Sequence, residues 1–422
     1  MDNLAPLRYA PYRFLLAGRT VNALGNAVAP IALAFAVLDV TGSPRDLGLV
    51  VGIRTLANVV FVLFGGVLAD RLPRHLLMVG TSLAAAGTQA AVAATVLTGT
   101  ATIAVLIALS ALNGVFSALA WPASSALLPQ TVPADIRQQA NALNRLFFGT
   151  TSIVGASAGG VLVAAVGPGW GIAVDAATFA VAALFFGLVR VPPLSPADPA
   201  AGGTAPARNT LVADLRTGWT EFASRTWLWV VVAGFCLYNA CLSGAFNVLG
   251  PVVADDTFGR LGWGFVLSAQ TVGLILGALV AMRLRIRRLL FFGVSCTAAG
   301  VLPMLALGLA PVLGVLIVTA FVTGLAIEQF GVAWETTMQE HVPADKLARV
   351  YSYDMLGSLL AMPVGEVVAG PIAEAVGAQA TLIGAAVLVG VAVIGMLASR
   401  DVRHLEHRLP APADRVMEQS AP

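Results

Sequence analysis

Five charged residues interrupt long apolar stretches of this chain. They are Arg19, Arg54, Asp175, Glu328 and Glu366. A charged side chain at the centre of an apolar membrane helix costs about 2.5–3.5 kcal/mol on insertion scales. Residues of this kind are retained for a function or for an ion pair. We therefore treat all five as candidates for ligand contact, ion movement or gating.

Polar side chains follow helical spacing in three of these apolar stretches. Residues three or four apart share one face of a helix. The stripes are Arg19, Asn22 and Asn26; Asn113 and Ser117; and Asn239, Ser243 and Asn247. A polar stripe on an apolar helix should face protein or water rather than lipid, which predicts a polar pathway. The alternative is that the Asn and Ser side chains only form hydrogen bonds between helices.

The composition shows which elements must position these residues. Of 422 residues, 58% are hydrophobic and 11% are charged, against about 25% charged in a soluble domain. This excludes a soluble enzyme. Twelve apolar stretches are long enough to cross a membrane as helices, the form in which a single apolar segment satisfies its backbone polar groups. They cover residues 14–38, 47–69, 75–97, 101–121, 147–166, 171–189, 228–253, 262–282, 288–309, 312–336, 351–375 and 379–399.

The basic residues predict the orientation. Most of the 24 Lys and Arg residues fall in the terminal segments and in every second loop between the stretches. Positively charged loops stay on the cytoplasmic side of a membrane. We therefore expect both the N- and the C-terminus in the cytoplasm, with the chain in the inner (plasma) membrane of a bacterial cell.

An internal repeat predicts two halves. The tetrapeptide Val132–Asp135 recurs as Val342–Asp345, with six stretches between the copies. An even number of crossings gives both halves the same orientation, as in transporters built from parallel repeats. The predicted domains are a six-helix bundle at 1–189, a cytoplasmic Pro- and Gly-rich linker at 190–227, a second six-helix bundle at 228–399 and a cytoplasmic tail at 400–422.

The segment that joins the second and third stretches resembles the loop signature G-x-x-x-D-R-x-G-R-R of the major facilitator superfamily. Gly66, Asp70, Arg71 and Arg74 match it, whereas Pro73 replaces the usual glycine. Further segments resemble the macrolide-efflux and enterobactin-exporter branch of that superfamily, among them residues 126–133, 174–179 and 339–343.

The resemblance implies an all-α membrane protein of two pseudo-symmetric six-helix bundles. It implies that helices 1, 4, 7 and 10 line a central cavity, and that the matching signature residues form a latch to helix 11. Helices 2 and 11 meet in this superfamily, so we predict an Arg54–Glu366 pair between the bundles. Pairing of Arg54 with Asp175 in its own bundle is the alternative.

Glu328 is the candidate for proton movement. Desolvation disfavours a charged carboxylate, and a buried carboxyl group that exchanges its proton can couple proton flow to transport. We hypothesise that Glu328 is protonated and deprotonated in each cycle. The alternative is a fixed ion pair with a basic residue near the same end of the bundle, such as Arg19.

These observations together predict a secondary active transporter that exports an amphipathic small molecule such as a drug, antibiotic or siderophore, with proton antiport. An importer or uniporter, a membrane receptor or scaffold, and a membrane-embedded enzyme are the alternatives. We expect no catalytic residues, no metal site, no cofactor and no nucleic-acid partner. The expected partners are the substrate, protons or sodium, and the lipid bilayer, and a monomer is the expected state.

Overall fold

A computed structural model describes residues 4–190, 219–284 and 286–407 of the chain. Its first half contains six long helices, in the order predicted. Their bounds are α1 Ala10–Thr41, α2 Pro44–Arg71, α3 Arg74–Leu97, α4 Ile103–Thr131, α5 Arg137–Val166 and α6 Pro168–Gly187. Helices α4 and α5 extend beyond the apolar stretches, so that Asn144 and Arg145 belong to a helix rather than to a loop.

Six further helical segments form the second half, and we call each of them a rod because some contain a break or an irregular turn. They are α7 Thr226–Asp256, α8 Gly259–Ala281, α9 Leu289–Leu309, α10 Leu313–His341, α11, which consists of Ala344–Leu359 and Met362–Val376, and α12 Ala378–Ala398. Eleven helices in the described residues are long and apolar enough to cross a membrane. Helix α2 occupies the place of the remaining predicted span, so the predicted all-α membrane fold is confirmed. The exact domain boundaries stay a prediction, because residues 191–218 lie outside the described part.

The rods connect at two faces of the molecule. We call the face with Ala10, the α2–α3 turn and the α8–α9 loop the terminal face, and the opposite one the distal face. Each of the five glycines with positive φ in the described residues, Gly42, Gly99, Gly167, Gly259 and Gly377, lies in a turn at the distal face. Glycine adopts this conformation without strain, which keeps the distal turns short.

Three rods depart from a regular helix, and in α9 the departure is a 3₁₀ turn at Thr297–Gly300. Helix α11 was predicted as one stretch, but it is interrupted between Leu359 and Met362. Pro363 explains the break, because it has no N–H to donate and its ring clashes with the preceding turn. Helix α7 widens to a π-helical turn at Gly244–Leu249, just before Pro251. Single π-turns of this kind are frequent at functional sites.

The halves meet near the distal face. A Cβ atom on Gly48 of α2 would lie closer than 3.0 Å to the backbone carbonyl of Glu366 on α11, and a Cβ atom on Gly264 of α8 would lie closer than 3.0 Å to the Cα atom of Gly160 on α5. At the surface, Arg260 Nη1 donates to Asp39 Oδ2 at 2.9 Å and Ser43 Oγ donates to Glu374 Oε1 at 2.8 Å. These contacts close the distal face.

The helical residues 219–223 hold the described end of the linker against α11. Glu221 accepts a hydrogen bond from Lys346 Nζ at 2.7 Å and pairs with Arg225. The ring of Trp219 packs against those of Phe222 and Tyr353. Because Lys346 and then Arg225 donate to it, the pKa of Glu221 is lowered from its ordinary value.

Candidate transport cavity and buried polar clusters

A cavity of about 770 Å³ lies among the helices of the first half. Helices α1–α6 form most of its wall, and α11 adds Leu359 and Met362 beside its break. Asn141 and Leu128, near the terminal ends of α5 and α4, also line it, so the cavity reaches the terminal face. Its volume lies in the range of about 300–1,000 Å³ that small-molecule sites occupy.

Arg19 is the only charged residue among the described side chains of the cavity wall. Its Nε donates to Ser124 Oγ at 2.8 Å, Nη1 donates to Asn144 Oδ1 at 3.0 Å, and Nη2 donates to the Ser124 carbonyl at 2.5 Å. These bonds tie α1 to α4 and α5 and fix the guanidinium in one orientation. The suggested ion pair with Glu328 is therefore wrong: neutral partners of its own half hold Arg19.

Asn22 and Asn26 lie on the cavity wall beyond Arg19. Asn26 Nδ2 donates to the carbonyl of Asn22 at 3.0 Å and to its Oδ1 at 3.1 Å. The stripe on α1 thus faces the cavity, as its spacing suggested. Four phenylalanines supply apolar wall around it: Phe116, Phe148, Phe179 and Phe186.

A buried polar cluster lies beside the cavity, towards the distal face. Arg54 Nε donates to Asn113 Oδ1 at 3.3 Å, and Asn113 Nδ2 donates to Thr88 Oγ1 at 3.5 Å. Asn113 is only 1% exposed. The expectation that it lines the pathway is not met, because its amide is used to hold Arg54.

Asp175 on α6 belongs to the same cluster. It is fully buried and accepts a hydrogen bond from Gln89 Nε2 through Oδ2, whereas Oδ1 has no hydrogen-bond partner among the described atoms. Gly25 on α1 allows this approach, since a Cβ there would clash with the Asp175 carboxylate and with Thr178. Gln89 was missed in the sequence. The sequence feature that could have identified Gln89 is its isolated carboxamide in an apolar helix that carries none of the three polar stripes.

A second buried cluster joins α7 to α11. Glu366 is fully buried, and its Oε1 accepts from Ser243 Oγ and, at 2.8 Å, from Asn247 Nδ2. Asn239 Nδ2 donates to the carbonyl of Ser358, beside the α11 break, at 2.9 Å. The stripe on α7 was expected on the cavity wall. It instead bridges two helices, because the buried carboxylate and the free carbonyl of the broken helix require donors.

Arg54 and Glu366 are not in direct contact. In the described residues, Arg54 forms no ion pair, and its guanidinium interacts electrostatically with both Asp175 and Glu366. The predicted direct pair is wrong, because Asn113 binds the Arg54 guanidinium and α7 supplies the donors to Glu366. The predicted partner Glu366 and the alternative partner Asp175 both interact electrostatically with Arg54. Arg54 thus attracts one carboxylate of each half.

Glu328 lies half-buried on α10, outside the described cavity wall. Its Cβ lies beside Gly277 of α8, where a second Cβ would be closer than 3.0 Å. The described residues supply no hydrogen bond to its carboxylate, and its electrostatic partner is Arg145 on α5, in the other half. Sequence reasoning missed Arg145 because it placed this residue in a loop.

The predicted latch is described only in part. Arg74 begins α3. The side chains of Gly66, Asp70 and Arg71 lie outside the described residues, so their role stays a prediction. The groups of His, Cys, Asp and Glu that the structure describes include none that could hold a metal ion.

Comparison with known proteins identifies the fold and its relatives. A family model described as Major Facilitator Superfamily matches residues 15–263. Multidrug efflux pump Tap of Mycolicibacterium fortuitum is 28% identical over 389 residues, which cover 87% of this chain and 90% of that protein. Macrolide efflux protein A of Streptococcus pyogenes is 23% identical over 380 residues, covering 86% and 89%.

Two solved structures share the fold. The nucleoside transporter NupG superposes with a TM-score of 0.73 at 14% identity, covering 92% of this chain and 98% of that one. A bacterial homolog to the human lysosomal transporter Spinster, in an inward-facing and unoccupied conformation, gives 0.68 at 14% identity, covering 93% and 98%.

Proposed function

The chain belongs to the major facilitator superfamily, and we propose that it exports an amphipathic small molecule by alternating access, in exchange for protons. The chain is a multi-pass membrane transporter rather than an enzyme. Drugs, antibiotics and siderophores are the substrate types that fit this proposal. Relatives named as efflux pumps, aligned over most of the chain, support the direction of transport.

One observation carries the proposal: a substrate-sized cavity reaches the terminal face while the distal face is closed. The basic loops predict that the terminal face is cytoplasmic. In this conformation the cavity is therefore ready to receive a molecule from the cytoplasm. Rocking of the two halves about the cavity would then open the distal face and release the molecule outside.

Amphipathic chemistry fits the wall of the cavity. Asparagine, serine and threonine side chains supply hydrogen-bond donors and acceptors along α1, α2 and α4, and phenylalanines supply apolar surface. Sites for small molecules commonly combine apolar lining with a few fixed polar groups. A molecule with an apolar body and a few polar groups can contact the apolar surface and the polar side chains of the wall together.

Glu328 is the residue that we assign to proton exchange. Its carboxylate is half-buried and interacts with Arg145 across the two halves. When the carboxylate binds a proton, it loses its attraction for Arg145, and the electrostatic attraction between α10 and α5 weakens. Proton binding thereby favours one arrangement of the halves over the other, which is what coupling requires.

Retention of dyes and antibiotics in a pump-deficient bacterial host tests this function. We expect the wild-type chain to lower retention, a protonophore to abolish the effect, and Glu328→Gln to abolish it at normal expression. Glu335→Gln is the matched control, because Glu335 is exposed on the same helix. Full proton-dependent export by Glu328→Gln would refute the assigned coupling residue. Accumulation above the empty host would instead indicate an importer.

A further inference from the structure

Arg19 carries a charge that no described carboxylate neutralises. The described residues that accept hydrogen bonds from its guanidinium are Ser124 and Asn144, through neutral oxygen atoms. The other charged groups buried in the membrane part of the same half, Arg54 and Asp175, interact with each other instead. A partly buried cation without an anion is costly, so a bound anion would stabilise this site.

The guanidinium is also positioned to receive a ligand. Five N–H groups project from an arginine side chain, and the three bonds named above leave N–H groups without a protein acceptor. Ser124 and Asn144 hold the group at the wall of a cavity of about 770 Å³. The two remaining N–H groups, one on each Nη atom, are available to donate to an acidic group of a ligand.

The surroundings of Arg19 define the rest of the ligand. No described side chain on the cavity wall is acidic, so the charge of the described wall favours an anionic over a cationic ligand. The amides of Asn22 and Asn26 lie on the same stripe as Arg19. Phe116 on α4 and Phe148 on α5 provide the accessible apolar surface of the wall, whereas the rings of Phe179 and Phe186 are buried.

We propose that the cavity binds a monoanionic amphiphile, with its carboxylate or an equivalent acidic group on Arg19 and its apolar body against the phenylalanines. This deepens the export proposal and rests on it for the role of the cavity in transport. The preference for an anion is a property of binding, and it is measurable without transport.

Binding to the purified full-length chain tests the proposal with three probes that share one naphthalene body. Their head groups are a carboxylate (naphthylacetate), a carboxamide (naphthylacetamide) and an ammonium (naphthylmethylammonium). We expect the carboxylate to bind at least about tenfold more tightly than the carboxamide, as one charge-assisted hydrogen-bonded pair provides. The ammonium probe should bind most weakly.

Two variants change the charge of the site in different ways. Arg19→Gln should reduce the carboxylate-to-carboxamide affinity ratio to about one, while carboxamide binding shows that the cavity is still formed. Asn22→Asp places a carboxylate one turn from Arg19, and it should abolish the preference with the arginine still present. Arg137→Gln removes an exposed arginine at the start of α5 and should leave the ratio unchanged.

Three results would overturn the proposal: no saturable binding of the carboxylate probe, ammonium binding at least as tight as carboxylate binding, or an unchanged ratio in both variants. Failure of the export proposal gives a different result. In that case the anion preference persists in the purified protein, while vesicles that contain the same protein move no carboxylate probe.

Discussion

Gly48 on α2 lies against the backbone carbonyl of Glu366 on α11, at the place where the two halves close the distal face. No side chain fits between them, since even a Cβ would clash with that carbonyl oxygen. The same residue, Glu366, is held from its other side by Ser243 and Asn247 of α7. Glu366 therefore belongs both to the contact that closes the distal face and to the buried polar cluster between α7 and α11.

Gly48→Ala should shift the chain towards a state that is open at the distal face. The added methyl group must separate α2 from α11, and overpacking of this kind costs about 1–3 kcal/mol. Spin labels at Val40 and Asp256, both exposed at the distal face, measure the change by double electron–electron resonance. We expect a longer distance to become populated.

Gly384→Ala is the control for this experiment. Gly384 lies on α12, where a Cβ would meet open space. The distance distribution between the two spin labels in Gly384→Ala should match that of the parent chain. An unchanged distribution for Gly48→Ala would show that the contact between Gly48 and Glu366 does not limit opening.

Ser243→Ala should destabilise the folded chain by about 1–3 kcal/mol, because the buried Glu366 carboxylate loses one of its two donors. Thermal unfolding in detergent measures the loss. Ser295→Ala is the comparison, since its hydroxyl donates to the carbonyl of Phe291 in its own helix. Equal melting temperatures for the two variants would contradict a supporting role for Ser243.

Acid should release the linker from α11. The pKa of Glu221 is lowered by Lys346 and Arg225, so its ion pair with Lys346 stabilises docking on α11 at all pH values above the ordinary glutamate pKa of about 4.3. That contribution is lost as the pH falls below this value and through the lowered pKa. Docking should therefore show no dependence on this group near neutrality.

Tryptophan fluorescence follows this release, because Trp219 packs on Phe222 and Tyr353 in the docked linker. We expect an acid transition that the variant Trp219→Phe lacks. In Glu221→Gln the same transition should be absent. A transition that persists in Glu221→Gln must be due to another group.

Labelling of intact cells tests the predicted orientation. In a chain whose three cysteines are replaced, Thr100→Cys lies at the distal face and Asp135→Cys at the terminal face, and both positions are exposed. A membrane-impermeant maleimide should label only the former in intact cells and both after permeabilisation. The reverse pattern would place the termini outside and turn the cavity towards the exterior.

The sequence was sufficient for the order of the helices and for the two halves, because a single apolar segment in lipid satisfies its backbone polar groups as a helix and its apolar length is visible. It was less sufficient for the polar residues. The spacing of Asn239, Ser243 and Asn247 identified a shared face correctly, but spacing alone does not say what that face contacts. Their partners, Glu366 and the carbonyl of Ser358, follow from the break in α11 and the wide turn in α7.

The same limit applies to Arg54 and Arg19. Their depth in the membrane could be counted from the sequence, but their hydrogen-bond partners lie on other helices. Asn113 holds Arg54, and Ser124 with Asn144 holds Arg19. Such long-range pairings depend on how the helices rotate when they pack, which is set by close approaches such as Gly25 to Asp175.

The uncompensated charge of Arg19 makes the two legs of a transport cycle electrically unequal. An empty cavity holds one positive charge, whereas a cavity that contains a monoanion is neutral. Membrane voltage acts on a charge with about 2.3 kcal/mol per 100 mV across the full field. The voltage therefore acts on the Arg19 charge when the empty carrier reorients, and a bound monoanion cancels this contribution in the loaded carrier.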